Sequence, residues 1–163
     1  MSSSRPGDDV SLALAAVIRY TRAGVRSTRQ ILAYLQRRGV STDTSARVVR
    51  LCQARGILDD RACARLWADH WARQGYAWAA IRQKLTERGL DDSTIDEARH
   101  RLGLASDDGA RARLVVAQRT RRSAGRPPRS RLARTLASRG FDSELIERVL
   151  DESFGSTPPD AER

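Results

Sequence analysis

Cysteines, aromatic residues and lysines are scarce in this chain of 163 residues, which contains 2 cysteines, 8 aromatic residues and a single lysine, Lys84. Cys52 and Cys63 are too few for a disulfide framework, and neither belongs to a CxxC motif or a Cys/His cluster. We therefore expect both cysteines to be reduced and buried. The sequence excludes the class of small proteins stabilised by disulfides.

Long apolar segments are also missing. No run approaches the roughly 18 apolar residues that span a bilayer, and the first residues lack the apolar core of a secretory signal peptide. We expect a cytoplasmic protein that has no membrane partner and is a monomer.

Catalytic and cofactor-binding motifs are absent as well. The sequence has no glycine-rich phosphate loop, no nucleophile elbow and no zinc-ligand spacing. The pair Asp59-Asp60 has no third carboxylate or histidine placed to complete a metal site, so helix capping is the favoured interpretation. His70 and His100 are isolated on charged segments. We predict that the protein is not an enzyme and needs no metal or cofactor.

Basic residues are abundant, and their excess over acidic residues is confined to one segment. Thirty basic residues oppose 20 acidic ones, which gives a net charge of +10. Residues 109–141 contain ten arginines and no acidic residue, and removing those ten leaves 20 basic against 20 acidic residues. A polyanion or an acidic protein surface should therefore be attracted to this segment first. The predicted contact residues are Arg119, Arg121, Arg122, Arg126, Arg129, Arg131 and Arg134.

Glycines reveal an internal repeat. Gly39, Gly89 and Gly140 lie 50 and 51 residues apart, and each follows two apolar residues spaced four apart, as Ile31 and Leu35 are. This phrase is typical of a helix that ends in a left-handed glycine. Earlier glycines (Gly24, Gly75, Gly125) are predicted to end a preceding helix, and acidic pairs (Asp8-Asp9, Asp59-Asp60, Asp107-Asp108) are predicted to start it.

The repeat predicts an all-α fold. We expect nine helices in three tandem three-helix repeats, 8–56, 57–104 and 105–154, with flexible tails at 1–7 and 155–163. Because a unit of about 50 residues buries little apolar surface by itself, the repeats should stack into an elongated, curved body.

Residues 56–64, with the sequence GILDDRACA, continue into Arg73-x-Gly75-x5-Ile81-x3-Leu85-x3-Gly89-Leu90. This phrase resembles the central signature of the RecX family, and the likeness extends over residues 11–152. The resemblance implies tandem three-helix repeats without catalytic residues. It also implies a protein that binds the RecA recombinase, lies in the groove of the RecA filament on DNA, and restrains strand exchange, ATP hydrolysis and co-protease activity. Some members of the family also contact DNA.

Two further interpretations stay open at this point. Trp67 and Trp71, four residues apart, are predicted to pack in the core rather than to stack on bases, while Trp78 suits either role. An autonomous helix-turn-helix-like DNA-binding protein is the alternative function. The helices that open at Ser41, Asp91 and Asp142 begin acidic or neutral, which speaks against base-reading helices.

Overall fold

The computed structural model describes residues 6–103, 107–123 and 125–155, and within these ranges every regular element is an α-helix. The nine helices are α1 (Pro6–Arg22), α2 (Thr28–Arg37), α3 (Thr42–Ala54), α4 (Asp60–Arg73), α5 (Trp78–Glu87), α6 (Asp92–Leu102), α7 (Asp108–Arg122), α8 (Arg129–Ala137) and α9 (Ser143–Phe154). The all-α prediction is confirmed. We call α1–α3, α4–α6 and α7–α9 the first, second and third repeats. The bounds of these repeats as domains stay a prediction. The predicted tails lie outside the described residues apart from 6–7 and 155.

Local side-chain caps start α2 and the third helix of each repeat. The segment Ser27–Gln30 forms the predicted capping box, in which Ser27 and Gln30 each accept the other's backbone N–H, at 3.2 and 3.0 Å. Ser41, Asp91 and Asp142 accept the N–H three residues ahead. These three residues therefore serve as helix caps.

The three repeat glycines end α2, α5 and α8 in the same way. Gly39, Gly89 and Gly140 have φ of 74, 79 and 84°, the left-handed region that other residues rarely enter. The residue after each glycine donates its N–H to the carbonyl five residues back, for example Val40 to Leu35 at 3.1 Å. The prediction for Gly125 is wrong, because α7 already ends at Arg122 and Gly125 is not among the glycines of positive φ.

By its contacts the chain forms two compact units, residues up to Trp67 with Leu85–Ala98, and Ala68–Lys84 with residues from Arg99 onward. The core of the first unit lies among α1, α2 and α3 and includes Val17, Ile31, Leu35 and Val48. The core of the second unit lies among α7, α8 and α9 and includes Val115, Leu132, Leu136 and Val149. Burying each such side chain contributes about 1.5–3 kcal/mol.

Two of the three tryptophans are buried and the third is half-buried. Trp71 and Trp78 are buried, which confirms the core prediction for Trp71 and assigns Trp78 to the core as well. Trp67 is only half-buried, and the Arg88 guanidinium lies over its ring, 4.1 Å from the centroid.

Consecutive repeats contact each other through the start of a second helix. In the first unit, the Thr28 N–H at the start of α2 donates to Asp60 Oδ1 at 2.7 Å, and Ser27 Oγ donates to the Arg88 carbonyl. In the second unit, the Trp78 N–H at the start of α5 donates to Asp108 Oδ1 at 2.9 Å. The same kind of contact therefore occurs once in each unit.

This contact revises the role of the acidic pairs. All the aspartates of these pairs were predicted to cap their own helices. The first aspartate of the second and third pairs does so, since Asp59 accepts the Ala62 N–H at 2.9 Å and Asp107 accepts the Gly109 N–H at 2.8 Å. The second members, Asp60 and Asp108, instead accept from the preceding repeat. The Asp8 side chain lies outside the described residues.

Candidate polyanion-binding site

The arginine-rich segment folds as α7 and α8 of the third repeat. Asp107 caps α7, and residues three apart along this helix, such as Arg119 and Arg122, share one face. Pro127 and Pro128 precede α8, and their fixed φ and missing N–H place them before the helix rather than inside it. Apolar side chains of both helices lie in the same core cluster, so their arginines are held on a rigid base.

Four arginines, three on these helices and one just after α8, line two adjoining depressions of about 100 and 110 Å³. Both depressions include Arg119 and Arg122. One is completed by Arg131 with Ser123 and Thr135, and the other by Arg139 with Gln118. We call this surface the arginine groove and define it by Arg119, Arg122, Arg131 and Arg139.

The groove concentrates positive charge. The Arg139 guanidinium donates to the Gln74 carbonyl at 2.6 Å, and its pKa is lowered by burial and, to a smaller degree, by the charge of Arg119. Arg119, Arg122 and Arg131 are exposed and make no ion pair with any carboxylate in the described part of the chain. An oxyanion bound here would relieve the repulsion between the guanidinium groups and accept their paired N–H donors.

The other predicted contact residues lie elsewhere. Arg121 and Arg126 line a separate depression, where the Arg126 guanidinium is 4.0 Å from the centroid of the Phe154 ring. Arg134 is exposed on α8 and lines neither depression of the groove. Arg129 is held by α9, with ion pairs to Glu147 at 2.5 Å and to Asp151 at 2.8 Å. Its charge is already compensated.

Arg139 is the groove residue absent from the predicted contact set. One signal for it does exist in the sequence, because each repeat carries an arginine directly before its glycine: Arg38, Arg88 and Arg139. Its approach to Arg119 depends on how α7 and α8 pack, which the repeat spacing does not specify.

No cluster of three or more metal-ligating side chains exists among the described residues. Cys52 and Cys63 are free and buried, in agreement with the prediction. Burial raises the pKa of both thiols, that of Cys63 to about 11 with the charge of Asp60 contributing next, so neither is an activated nucleophile. No helix in the described ranges is long and apolar enough to cross a bilayer.

Comparison with known proteins identifies a matching family model and relatives of this chain. A family model described as the second three-helix domain of RecX matches residues 59–98. The regulatory protein RecX of Thermobifida fusca is 30% identical over 93% of this chain and 84% of its own length. The regulatory protein RecX of Bacillus licheniformis is 22% identical over 96% of this chain, which spans 61% of that relative.

A solved structure shows the same fold. The crystal structure of RecX from Lactobacillus salivarius superposes with a TM-score of 0.70 at 16% identity, over 90% of this chain and 97% of that one. The 30% identity to the Thermobifida fusca protein over most of both chains shows that this chain belongs to the RecX family of regulatory proteins.

Proposed function

We propose that this protein binds the filament that the RecA recombinase forms on DNA and restrains the filament's ATP hydrolysis, strand exchange and co-protease activity. The observation that carries the proposal is the arginine groove, which is lined by four arginines that make no ion pair with a described carboxylate. Membership of a family of regulatory proteins supports a role exerted through binding.

A nucleoprotein filament offers a repeating array of oxyanions. DNA phosphates and the carboxylates of an acidic protein surface both accept the paired N–H groups of arginine. The exposed arginines Arg119, Arg122 and Arg131 supply such donors on one rigid face. Their charge also accelerates encounter with a negatively charged filament.

Inhibition in this mechanism follows from occupancy. A ligand that binds one state of the filament more tightly than another shifts the population toward the bound state. The bound protein also blocks access to the part of the filament that it covers. No bond is made or broken by the regulator.

The decisive experiment replaces groove arginines with glutamate. The triple variant Arg119→Glu, Arg122→Glu, Arg131→Glu is titrated into RecA-dependent ATP hydrolysis on single-stranded DNA at two salt concentrations. We expect at least about tenfold weaker inhibition at low salt, and a salt dependence of the apparent affinity lower by about 2–3 in log–log slope, since about 0.7–0.9 is lost per phosphate contact.

A second triple variant is the matched control. Arg121→Glu, Arg126→Glu and Arg134→Glu change the net charge by the same amount at exposed positions outside the groove. We expect this variant to inhibit nearly as well as the unmodified protein. Equal loss in both variants would show that net charge alone attracts the filament, and unchanged inhibition by the folded groove variant would refute the proposal.

Binding to DNA without recombinase distinguishes the alternative function from the proposed one. An autonomous DNA-binding protein would bind a double-stranded oligonucleotide without recombinase as tightly as it binds the coated filament. Fluorescence anisotropy on both substrates gives this comparison. The capping roles of Ser41, Asp91 and Asp142 favour the filament, because these side chains bond to the backbone of their own helices instead of facing bases.

A further inference from the structure

Each repeat presents an equivalent surface, formed by the start of its first helix and the end of its second helix. Three features define this docking site: an aspartate in the first turn, the residue three positions later, and the arginine–glycine pair that ends the second helix. In the three repeats these residues are Asp9, Leu12, Arg38 and Gly39; Asp60, Cys63, Arg88 and Gly89; and Asp108, Arg111, Arg139 and Gly140.

The docking site of the second repeat is occupied by the start of α2. Asp60 accepts the Thr28 N–H, and the Arg88 carbonyl accepts Ser27 Oγ. The Arg29 side chain of α2 lies so close that a Cβ on Gly89 would be 2.6 Å from Arg29 Cβ. Such a distance is too short for two carbon atoms, which explains why a glycine stands here.

The docking site of the third repeat is occupied in the same manner by the start of α5. Asp108 accepts the Trp78 N–H at 2.9 Å, and the Arg139 carbonyl accepts the Ala77 N–H at 2.9 Å. A Cβ on Gly140 would lie 2.7 Å from Ala80 Cβ. The site therefore recognises one kind of ligand twice, namely the N-terminus of a helix.

The docking site of the first repeat has no such occupant among the described residues. A Cβ on Gly39 would meet no described atom within 4 Å. Leu12 is 70% exposed, whereas its counterparts Cys63 and Arg111 are 0% and 5% exposed. The surface encloses a depression of about 410 Å³ lined by Asp9, Leu12, Ala13, Ala16, Leu35 and residues 38–41 and 44.

We propose that this docking site binds the N-terminus of a helix from a partner protein. The two occupied sites define the chemistry of that helix. Its first N–H donates to the Asp9 carboxylate, and a serine or threonine hydroxyl at its N-cap donates to the Arg38 carbonyl. Its second or third residue lies over Gly39, and its side covers Leu12.

A second copy of this chain fits the site less well. The starts of α2 and α5 already occupy docking sites, and the second helix of the third repeat is α8, whose N-cap is Pro128. Proline has neither an N–H nor a hydroxyl, so it cannot donate to the Arg38 carbonyl. The next residue, Arg129, is also engaged by two carboxylates of α9. The missing donor favours a different protein as the partner.

The test uses a synthetic helix as the probe. An N-acetylated peptide of residues 25–38 reproduces the start of α2, and a crosslink between positions 32 and 36, which are exposed in the chain, keeps this short segment helical. It is titrated to about 1 mM into the full-length protein labelled with ¹⁵N. We expect amide shifts at Leu12, Ala13 and Gly39. A peptide carrying Ser27→Pro should bind at least about tenfold more weakly, because it lacks the N-cap donor.

Two protein variants complete the design. Leu12→Glu should weaken peptide binding about tenfold or more, whereas Leu114→Glu, at a leucine that is 56% exposed and outside the site, should leave it unchanged. Absence of shifts, equal binding by Leu12→Glu, or equal loss in both variants would overturn the proposal. Self-association in sedimentation that Leu12→Glu abolishes would overturn the choice of a different protein. The peptide contains no recombinase or DNA, so its result is separate from the test of the arginine groove.

Discussion

Replacing the second aspartate of each acidic pair by alanine measures what the contact between repeats contributes to stability. Asp60 accepts the Thr28 N–H at 2.7 Å in a partly buried setting, and a hydrogen bond to a charged group contributes about 1.5–3 kcal/mol. We expect Asp60→Ala to lower the free energy of unfolding by about 2 kcal/mol.

The two equivalent substitutions should bracket this value. Asp108 accepts the Trp78 N–H and also pairs with Arg111, which is buried. Because breaking a buried ion pair costs about 3–5 kcal/mol and Asp108 itself is partly exposed, we expect about 3 kcal/mol for Asp108→Ala. Asp9 is exposed and its docking site is open, so Asp9→Ala should change stability by less than about 0.5 kcal/mol.

Urea unfolding followed by circular dichroism at 222 nm is the assay, together with thermal midpoints. For a chain of this size, 2 kcal/mol corresponds to a fall of about 4–8 °C in Tm. Amide hydrogen exchange at Thr28 and Trp78 reports the same loss locally, because these N–H groups lose their acceptor. The control is Asp59→Ala, which removes only a cap of its own helix and should cost about 1 kcal/mol.

The result that refutes this reasoning is specific. If Asp9→Ala destabilised the protein as much as Asp60→Ala, the aspartates would act within their own helices in every repeat. If Asp59→Ala cost more than Asp60→Ala, the contact between repeats would contribute less than the cap. Either outcome would also remove the basis for regarding the first docking site as the open equivalent of the other two.

Two further predictions concern backbone and thiol. Gly39→Ala should lower the free energy of unfolding by about 1–2 kcal/mol because of the positive φ alone. Gly140→Ala should lower it by at least about 1 kcal/mol more, because the new Cβ would overlap Ala80. Urea midpoints of the two variants test this difference. The pKa of the Cys63 thiol is raised to about 11 in the folded state, so its contribution to stability is complete below pH 9 and is lost as the pH rises toward 11. Between pH 8 and pH 11, the free energy of unfolding should therefore fall less in Cys63→Ala than in the unmodified protein. An equal fall would contradict the raised pKa of the Cys63 thiol.

The helices could be predicted from the sequence because their signals are local. The capping box at Ser27 and the glycine at the end of α2 act on backbone groups within about one turn, so residue type and spacing suffice to identify them. The 50-residue spacing then predicted the all-α repeat, and the acid-free segment 109–141 predicted where positive charge would collect.

The partners of charged and polar side chains were decided only by the tertiary structure. Asp59 and Asp60 are adjacent in sequence, yet one caps its own helix and the other accepts from the preceding repeat. Arg129 and Arg131 belong to the same basic segment, yet α9 compensates the first while the second lines the groove. The physical reason is one of range. Capping is settled by neighbours along the chain, whereas the charge that a carboxylate or guanidinium meets depends on helices that folding brings beside it.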